Sequence, residues 1–303
     1  MSSLPKLSII VCTYNRDQYI GKTLDHLLRQ DLPQLEYEVI IVDNNSTDRT
    51  AQICQDFISA HPDAPFHYVV ETNQGHSYSR NRGIEETQAE LVSFIDDDAF
   101  VHKPFGRNII HFFKENEEIL VVGGKIIPVY EEKEPKWMSH FLLPLVSALD
   151  MGSSPRLFTG RKFPVGANMI FRRTVFDQYG TFNVALGRKG TGLMGGDEKE
   201  LIYRLKNDNA PIYYAPDVVV DHIIPKRRLT KNYIQGLAQG VGQSEKERLS
   251  TATLFQKFQR ALEEVIKIGG TLILFIWYLL RGQLAKGSML IKFRIWVLQG
   301  FLN

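Results

Sequence analysis

Leu91-Val92-Ser93-Phe94-Ile95-Asp96-Asp97-Asp98-Ala99 sets three consecutive aspartates directly behind an apolar run that has the character of a buried strand. Adjacent carboxylates repel one another and are costly to desolvate, so such a cluster at a strand end calls for a cation or a network of donors to hold it. Hard oxygen ligands of this kind suit Mg²⁺ or Mn²⁺ carried in with a diphosphate. A solvated acidic turn is the alternative reading of the same residues.

Three more β-type runs precede this one, at residues 7–13, 37–42 and 66–70, and segments of helical character near 17–30, 48–60 and 77–88 separate them. Strand and helix in this alternation predict an α/β fold with a mostly parallel sheet flanked by helices. On such sheets ligands bind outside the carboxyl ends of the strands. The polar residues gather at those ends: Thr13, Tyr14, Asn15 and Arg16 after the first run, Asp43, Asn44 and Asn45 after the second, Asn73 after the third, and the aspartates after the fourth. A helix after Ser46-Thr47-Asp48 takes its N-cap from among those three residues, which leaves Asp43 available for a ligand. The stretch GHSYSRNRG, residues 75–83, offers glycines for a tight turn and Arg80 for a diphosphate, with Arg82 read as a surface residue.

At 303 residues, 44% hydrophobic and 23% charged, the chain is large enough to bury a full core, and it is not a disordered protein. Its net charge of +2 conceals an asymmetry. From Lys226 onward 13 Lys and Arg stand against 4 Asp and Glu, leaving 23 against 30 before it. Because these cations are interspersed with Leu, Ile, Phe and Trp, they fit anionic lipid better than nucleic acid, with a basic helical bundle packed on the body as the alternative. Residues 1–225 therefore form one domain and 226–303 a basic, apolar helical tail. Within the tail residues 268–280, IGGTLILFIWYLL, are uncharged but fall short of the ~20 residues needed to span a bilayer. A peripheral tail on the cytoplasmic leaflet is expected, with a re-entrant hairpin or a homo-oligomer interface as its rivals. Cys12 and Cys54 read as reduced core residues. The opening MSSLPKLSIIVCTYNR shows no signal-peptide pattern, so a cytoplasmic location is expected. Residues 130–161, rich in Pro, Gly, Ser and charge, read as a long excursion over the sheet.

Taken together and in order, LSIIVCTYNRD, EVIIVDNNSTD, NQGHSYSRNRG, FIDDDA and GGDEKEL resemble a family 2 glycosyltransferase of the GT-A fold, of the bacterial surface-polysaccharide type, over roughly residues 6–225. The resemblance implies a nucleotide-sugar donor, a glycan or lipid-linked acceptor, a divalent cation and inversion at the anomeric carbon. It places Thr13, Asn15 and Asp43 at the nucleotide base, Asp96 and Asp97 on the nucleoside side, and Asp98 on the metal. PVGANMIFRR resembles the family's strand lining the sugar pocket, where Gly166 and Asn168 allow close approach. His222, at the end of an apolar run, sits where some such enzymes place a further metal ligand, and a structural His is the alternative. For the general base the family shows a Glu-Asp order, whereas here Asp197 precedes Glu198. Register against Glu200 and Leu201 puts Glu198 in the catalytic place, and Asp197 remains open. A nucleotidyltransferase and a non-catalytic scaffold are the competing functions. The first lacks its Gly-rich phosphate loop after the first strand, and the swapped acid pair keeps the second in play.

Overall fold

The computed structural model describes residues 4–160, 162–187, 196–250 and 253–302. Contacts divide the chain into two compact units, Met1–Val129 with Ser147–Ile223, and Tyr130–Val146 with Ile224–Asn303.

In the first unit the strands β1 (Leu7–Thr13), β2 (Tyr37–Asp43), β3 (Phe66–Val70) and β4 (Leu91–Asp96) alternate with α1 (Ile20–Leu28), α2 (Thr50–Ala60) and α3 (His76–Glu86). The chain continues through β5 (Ala99–Val101), α4 (Phe105–Glu115), β6 (Val121–Tyr130), β7 (Arg156–Leu157), β8 (Asn168–Arg172), α5 (Thr174–Tyr179), α6 (Asp197–Asn207) and β9 (Ile212–Ile224). The described strands form one nine-stranded sheet of order β3-β2-β1-β4-β8-β6-β9-β5, with β7 beside β9. Its first half is parallel, and β8 turns the pairing antiparallel on β4 and on β6.

β1 is buried along its whole length because helices cover both faces of the sheet. The period of two along a strand sends Leu7, Ile9 and Val11 into one core with α1, α2 and α4, and Ile10 and Cys12 into the other with α3, α5 and α6. Cys12 and Cys54 are both buried free thiols. Parallel register then aligns the strand ends: Thr13 pairs with Asp43 and Cys12 with Asp96. This alignment, set by the apolar cores, makes a polar edge out of residues far apart in sequence.

The stretch 130–161 is not a single excursion. Residues 130–146 belong to the second unit, whereas Leu149 bridges to Ile126 and Arg156 pairs with Tyr214 inside the first. Met138 and Leu142 are buried and Phe141 is exposed.

The second unit holds α7 (Lys231–Ser250), α8 (Leu254–Leu280) and α9 (Leu284–Leu302). α7 and α9 approach closely because Gly242 lies against the α9 backbone at Val297 and Phe301, and Gly300 against the α7 backbone at Gln239. Among the described residues no helix is long and apolar enough to cross a membrane.

Gly83 is where α3 seats on the sheet: a Cβ there would stand 2.5 Å from Ile10 Cγ2 and 2.9 Å from its Cδ1. Alanine at a helix-interior glycine gains about 1 kcal/mol of propensity, while overpacking a well-packed core costs about 1–3 kcal/mol. With Ile10 fully buried in β1, the clash prevails. Gly83→Ala should lower stability by up to about 2 kcal/mol in urea unfolding, by these opposed terms; higher stability would show that Ile10 yields without cost.

Candidate active site

β4 ends at Asp96, the chain turns through Asp97 and Asp98, and β5 leaves antiparallel to β9. In that pairing Ala99 stands opposite His222, and the Ile223 amide donates to the Asp98 carbonyl at 2.9 Å. The register sets His222 Nε2 3.1 Å from Asp98 Oδ1 and 3.8 Å from Asp96 Oδ2. One ligand atom from each of Asp96, Asp98 and His222 lies within 4.8 Å of the others. Asp98 and His222 are fully buried, while the Asp96 side chain keeps 30% of its surface open. Two carboxylates and an imidazole so gathered fit a divalent cation that accepts oxygen and nitrogen ligands.

Asp97 faces elsewhere. Its Oδ1 lies 3.1 Å from Arg16 Nε, and Arg16 Nη2 lies 3.1 Å from Asp98 Oδ2, so one guanidinium ties two of the three aspartates. The Thr23 hydroxyl of α1 donates to the Asp97 carbonyl at 2.6 Å, fixing the turn from below. Burial pushes the Asp97 carboxyl up to about 7 against the pull of Arg16. The charge of Asp97 in turn holds Arg16 more firmly protonated than usual. Asp96 and Asp97, expected together on the nucleoside side, thus meet different partners, since the strand ends at Asp96 and Asp97 lies in the turn that follows.

Along the same edge the loops after β1, β2 and β3 hold one another. Asn15 adopts φ +53°, donates its amide to Ser46 Oγ at 2.9 Å and accepts the Thr47 amide on Oδ1 at 2.8 Å. Asp43, 2% exposed, accepts the Ser46 amide at 2.9 Å and the Tyr68 hydroxyl at 2.7 Å. Buried Asn44 donates to the Glu71 and Asn73 carbonyls and accepts the Gly75 amide at 2.7 Å. Thr13 is buried beside this array and Asn73 is exposed on it. The start of α2 departs from expectation: Arg49 occupies the cap position without a side-chain bond, and Asp48 instead accepts the Thr50 amide at 2.9 Å.

The acid pair sits at the head of α6. Gly196, at φ +117°, is the cap, so Asp197 is the first helical residue and not the N-cap; Gly195 lies outside the described residues. Both carboxylates face Arg80, which is 1% exposed: Nη1 is 2.6 Å from Asp197 Oδ2 and Nη2 is 3.2 Å from Glu198 Oε1. The rings of Phe94 and Phe182 lie 6.0 and 5.1 Å from this guanidinium. Arg80, expected at a diphosphate, is placed on the acids because it is the cation buried with them. Burial works to raise Asp197, yet Arg80, His76 and the amides of the helix start overcome it and hold the carboxyl below its usual value. Glu198 goes the other way. Burial raises it, Arg80 opposes, and the charges of Asp197 and Asp96 raise it further. Its side chain is 24% exposed against 2% for Asp197.

Gly166 lies directly on this group, where a Cβ would collide with Glu198 Oε1 and Arg80 Nη2. Asn168 is turned inward: its amide nitrogen donates to Val218 O at 2.9 Å and Lys125 O at 3.1 Å, joining β8 to β6 beside it and to β9 beyond. Arg82 pairs with Glu86 on the outer face of α3. Sequence reasoning sets Arg16 on this edge without a role, since no spacing rule links position 16 to positions 97 and 98.

The model of the glycosyl transferase family 2 matches residues 8–180. The chain is 29% identical over 222 residues to a glucosyl-dolichyl phosphate glucuronosyltransferase of Haloferax volcanii, covering 72% of this chain and 69% of that one. It is 32% identical over 139 residues to the poly(ribitol-phosphate) β-N-acetylglucosaminyltransferase TarS of Staphylococcus aureus, covering 43% of this chain and 24% of that longer protein. In fold it is similar to the mannosyltransferase PcManGT of Pyrobaculum calidifontis, solved with GDP-Man and Mn²⁺, at a TM-score of 0.65 and 19% identity over 99% of this chain and 88% of that one. With the match spanning more than half its length, and the acidic strand end, Arg16, Arg80 and the acid pair on one sheet edge, the chain belongs to glycosyl transferase family 2 and is a glycosyltransferase of the GT-A fold.

Proposed function

We propose that this enzyme transfers a sugar with inversion from a nucleoside diphosphate sugar to a hydroxyl of a lipid-linked or glycan acceptor in polysaccharide synthesis at the inner face of the cell membrane. The observation that carries the reading is geometric: Gly166 lies against Glu198 and Arg80 just ahead of β8, and β8 starts with Asn168 paired to Ile95, the residue before Asp96. A group able to take a proton and a group able to hold a cation thus share one site. In support, two curated relatives act on dolichyl-phosphate-linked sugars by name, and the fold neighbour was solved with a nucleotide-sugar and Mn²⁺.

In this reading Thr13, Asn15, Asp43 and Asn73 form the nucleoside end of the site. Asp97, fixed by Arg16, closes that end towards the ribose. Asp96, Asp98 and His222 would hold the cation, which when bound neutralises the charge that gathers on the departing diphosphate. Gly166 keeps the approach to the acid pair open for the sugar, and Asn168 stiffens the strand beneath it.

Glu198 is the general base and Asp197 its positioning partner. A base must meet the acceptor unprotonated and have enough affinity to take its proton, and Glu198 combines the open surface with the raised affinity for protons. Asp197 is enclosed and tied to Arg80. As the acceptor oxygen attacks the anomeric carbon, its proton passes to Glu198 and the bond to the diphosphate breaks on the opposite face.

Three experiments test this. Glu198→Gln should lower kcat by about 10²–10⁴ while leaving nucleotide affinity nearly unchanged. The acid limb of kcat/KM should also lie above the ordinary glutamate value of ~4.3, because activity rises with pH as the raised Glu198 loses its proton. A Glu198→Gln enzyme of normal rate, beside an inactive Asp197→Asn enzyme that is folded, would transfer the role to Asp197. In thermal unfolding a nucleoside diphosphate with Mn²⁺ at 100 times its Kd should stabilise the protein by about 2.7 kcal/mol. That gain should vanish in Asp98→Ala or without metal; a gain of equal size in Asp98→Ala would remove the cluster from donor binding.

A further inference from the structure

Along α8 the described residues of one face are apolar and exposed. Leu262, Val265, Ile266, Leu272, Ile273, Ile276 and Leu280 are exposed by 50–82%, and Phe255 and Phe258 continue the row at 68% each. Their spacing of three and four residues keeps them on a single side of a 27-residue helix, roughly 40 Å long at 1.5 Å per residue. The opposite side is satisfied within the unit: α8 packs on α9, where Gly287 sits against Phe275, and Glu264 takes Lys267 and Arg294 at 2.9 and 3.4 Å.

We infer that this face of α8 lies flat in the surface of an anionic lipid bilayer, its apolar row among the acyl chains. The inference is independent of the chemistry assigned to the catalytic site. Three observations favour lipid over the other occupants. The row is wide, with exposed doublets at Val265-Ile266, Leu272-Ile273 and Leu279-Leu280, whereas a helix paired with a second copy buries a narrow seam flanked by charges. At its carboxyl end exposed Trp277 carries the Arg281 guanidinium 4.1 Å from its ring centroid, the aromatic and cationic pairing suited to the headgroup level. The tail from Lys226 holds 13 cations against 4 anions, which complements anionic headgroups. A re-entrant insertion is disfavoured by the same residue, since the turn between α8 and α9 would carry Arg281 into hydrocarbon.

Flotation of the full chain with vesicles of phosphatidylglycerol and phosphatidylcholine, against phosphatidylcholine alone, tests the face. The wild type should float with the anionic vesicles and less with the neutral ones. I273E/I276E, on the exposed row, should lower the bound fraction at least roughly tenfold with helical content and thermal midpoint retained. If that variant loses its helical signal, V265E/I266E reads the same face. Retention of full binding by a folded variant overturns the inference. So does a wild type that ignores both vesicles but forms a dimer in light scattering that I273E/I276E splits, since a second copy then covers the row.

Discussion

Five carboxylates meet at one edge of a buried sheet, and the two guanidinium groups of Arg16 and Arg80 are what allows them to remain there. Asp97 and Asp98 share Arg16, and Asp197 and Glu198 share Arg80. Withdrawing a charge from water costs several kcal/mol even after relaxation, and removing one member of a buried pair costs about 3–5 kcal/mol. The arginines are therefore structural preconditions of the site. Arg80 divides its pair unequally, leaving Asp197 enclosed and Glu198 partly open, whereas of the pair on Arg16 Asp98 also meets the His222 imidazole. Environment, more than residue type, separates two adjacent acids into different protonation behaviours.

The change of pairing in the sheet makes this convergence possible. A wholly parallel sheet would end every strand at the same edge but would bring no returning strand past it. β9 runs antiparallel to β5, so its residues pass directly behind the aspartate turn and His222 arrives beside Asp98. β8, antiparallel to β4, starts at this edge, and the segment leading into it puts Gly166 against the acid pair. The parallel half supplies the polar strand ends, and the antiparallel half supplies the imidazole and the floor of the acid pair.

Asn15, Asp43 and Asn44 show a second consequence of crowding polar residues at strand ends. Each satisfies backbone groups of a loop that has no secondary structure of its own. Loops held this way keep a shape to which a ligand can bind without first ordering them. The residues that form the candidate nucleoside site are thus also the ones that build it.

Much of the fold was legible from residue order. Uninterrupted apolar runs such as Leu7–Thr13 fix their strands because a segment without polar positions has to be covered on both faces, and the polar residues that follow mark the edge at which those strands end. The acid pair and the aspartate run were legible too, since like charges side by side demand an explanation in any fold. Pairing between distant elements was not. Arg16 with Asp97 and Asp98, Arg80 with Asp197 and Glu198, and His222 with Asp98 depend on strand register and helix seating. Those are decided by the packing of apolar side chains throughout the sheet, and no local spacing encodes them. The sequence determined which groups this edge would carry; the tertiary structure decided which of them meet, because only packing brings residues a hundred positions apart within hydrogen-bond distance.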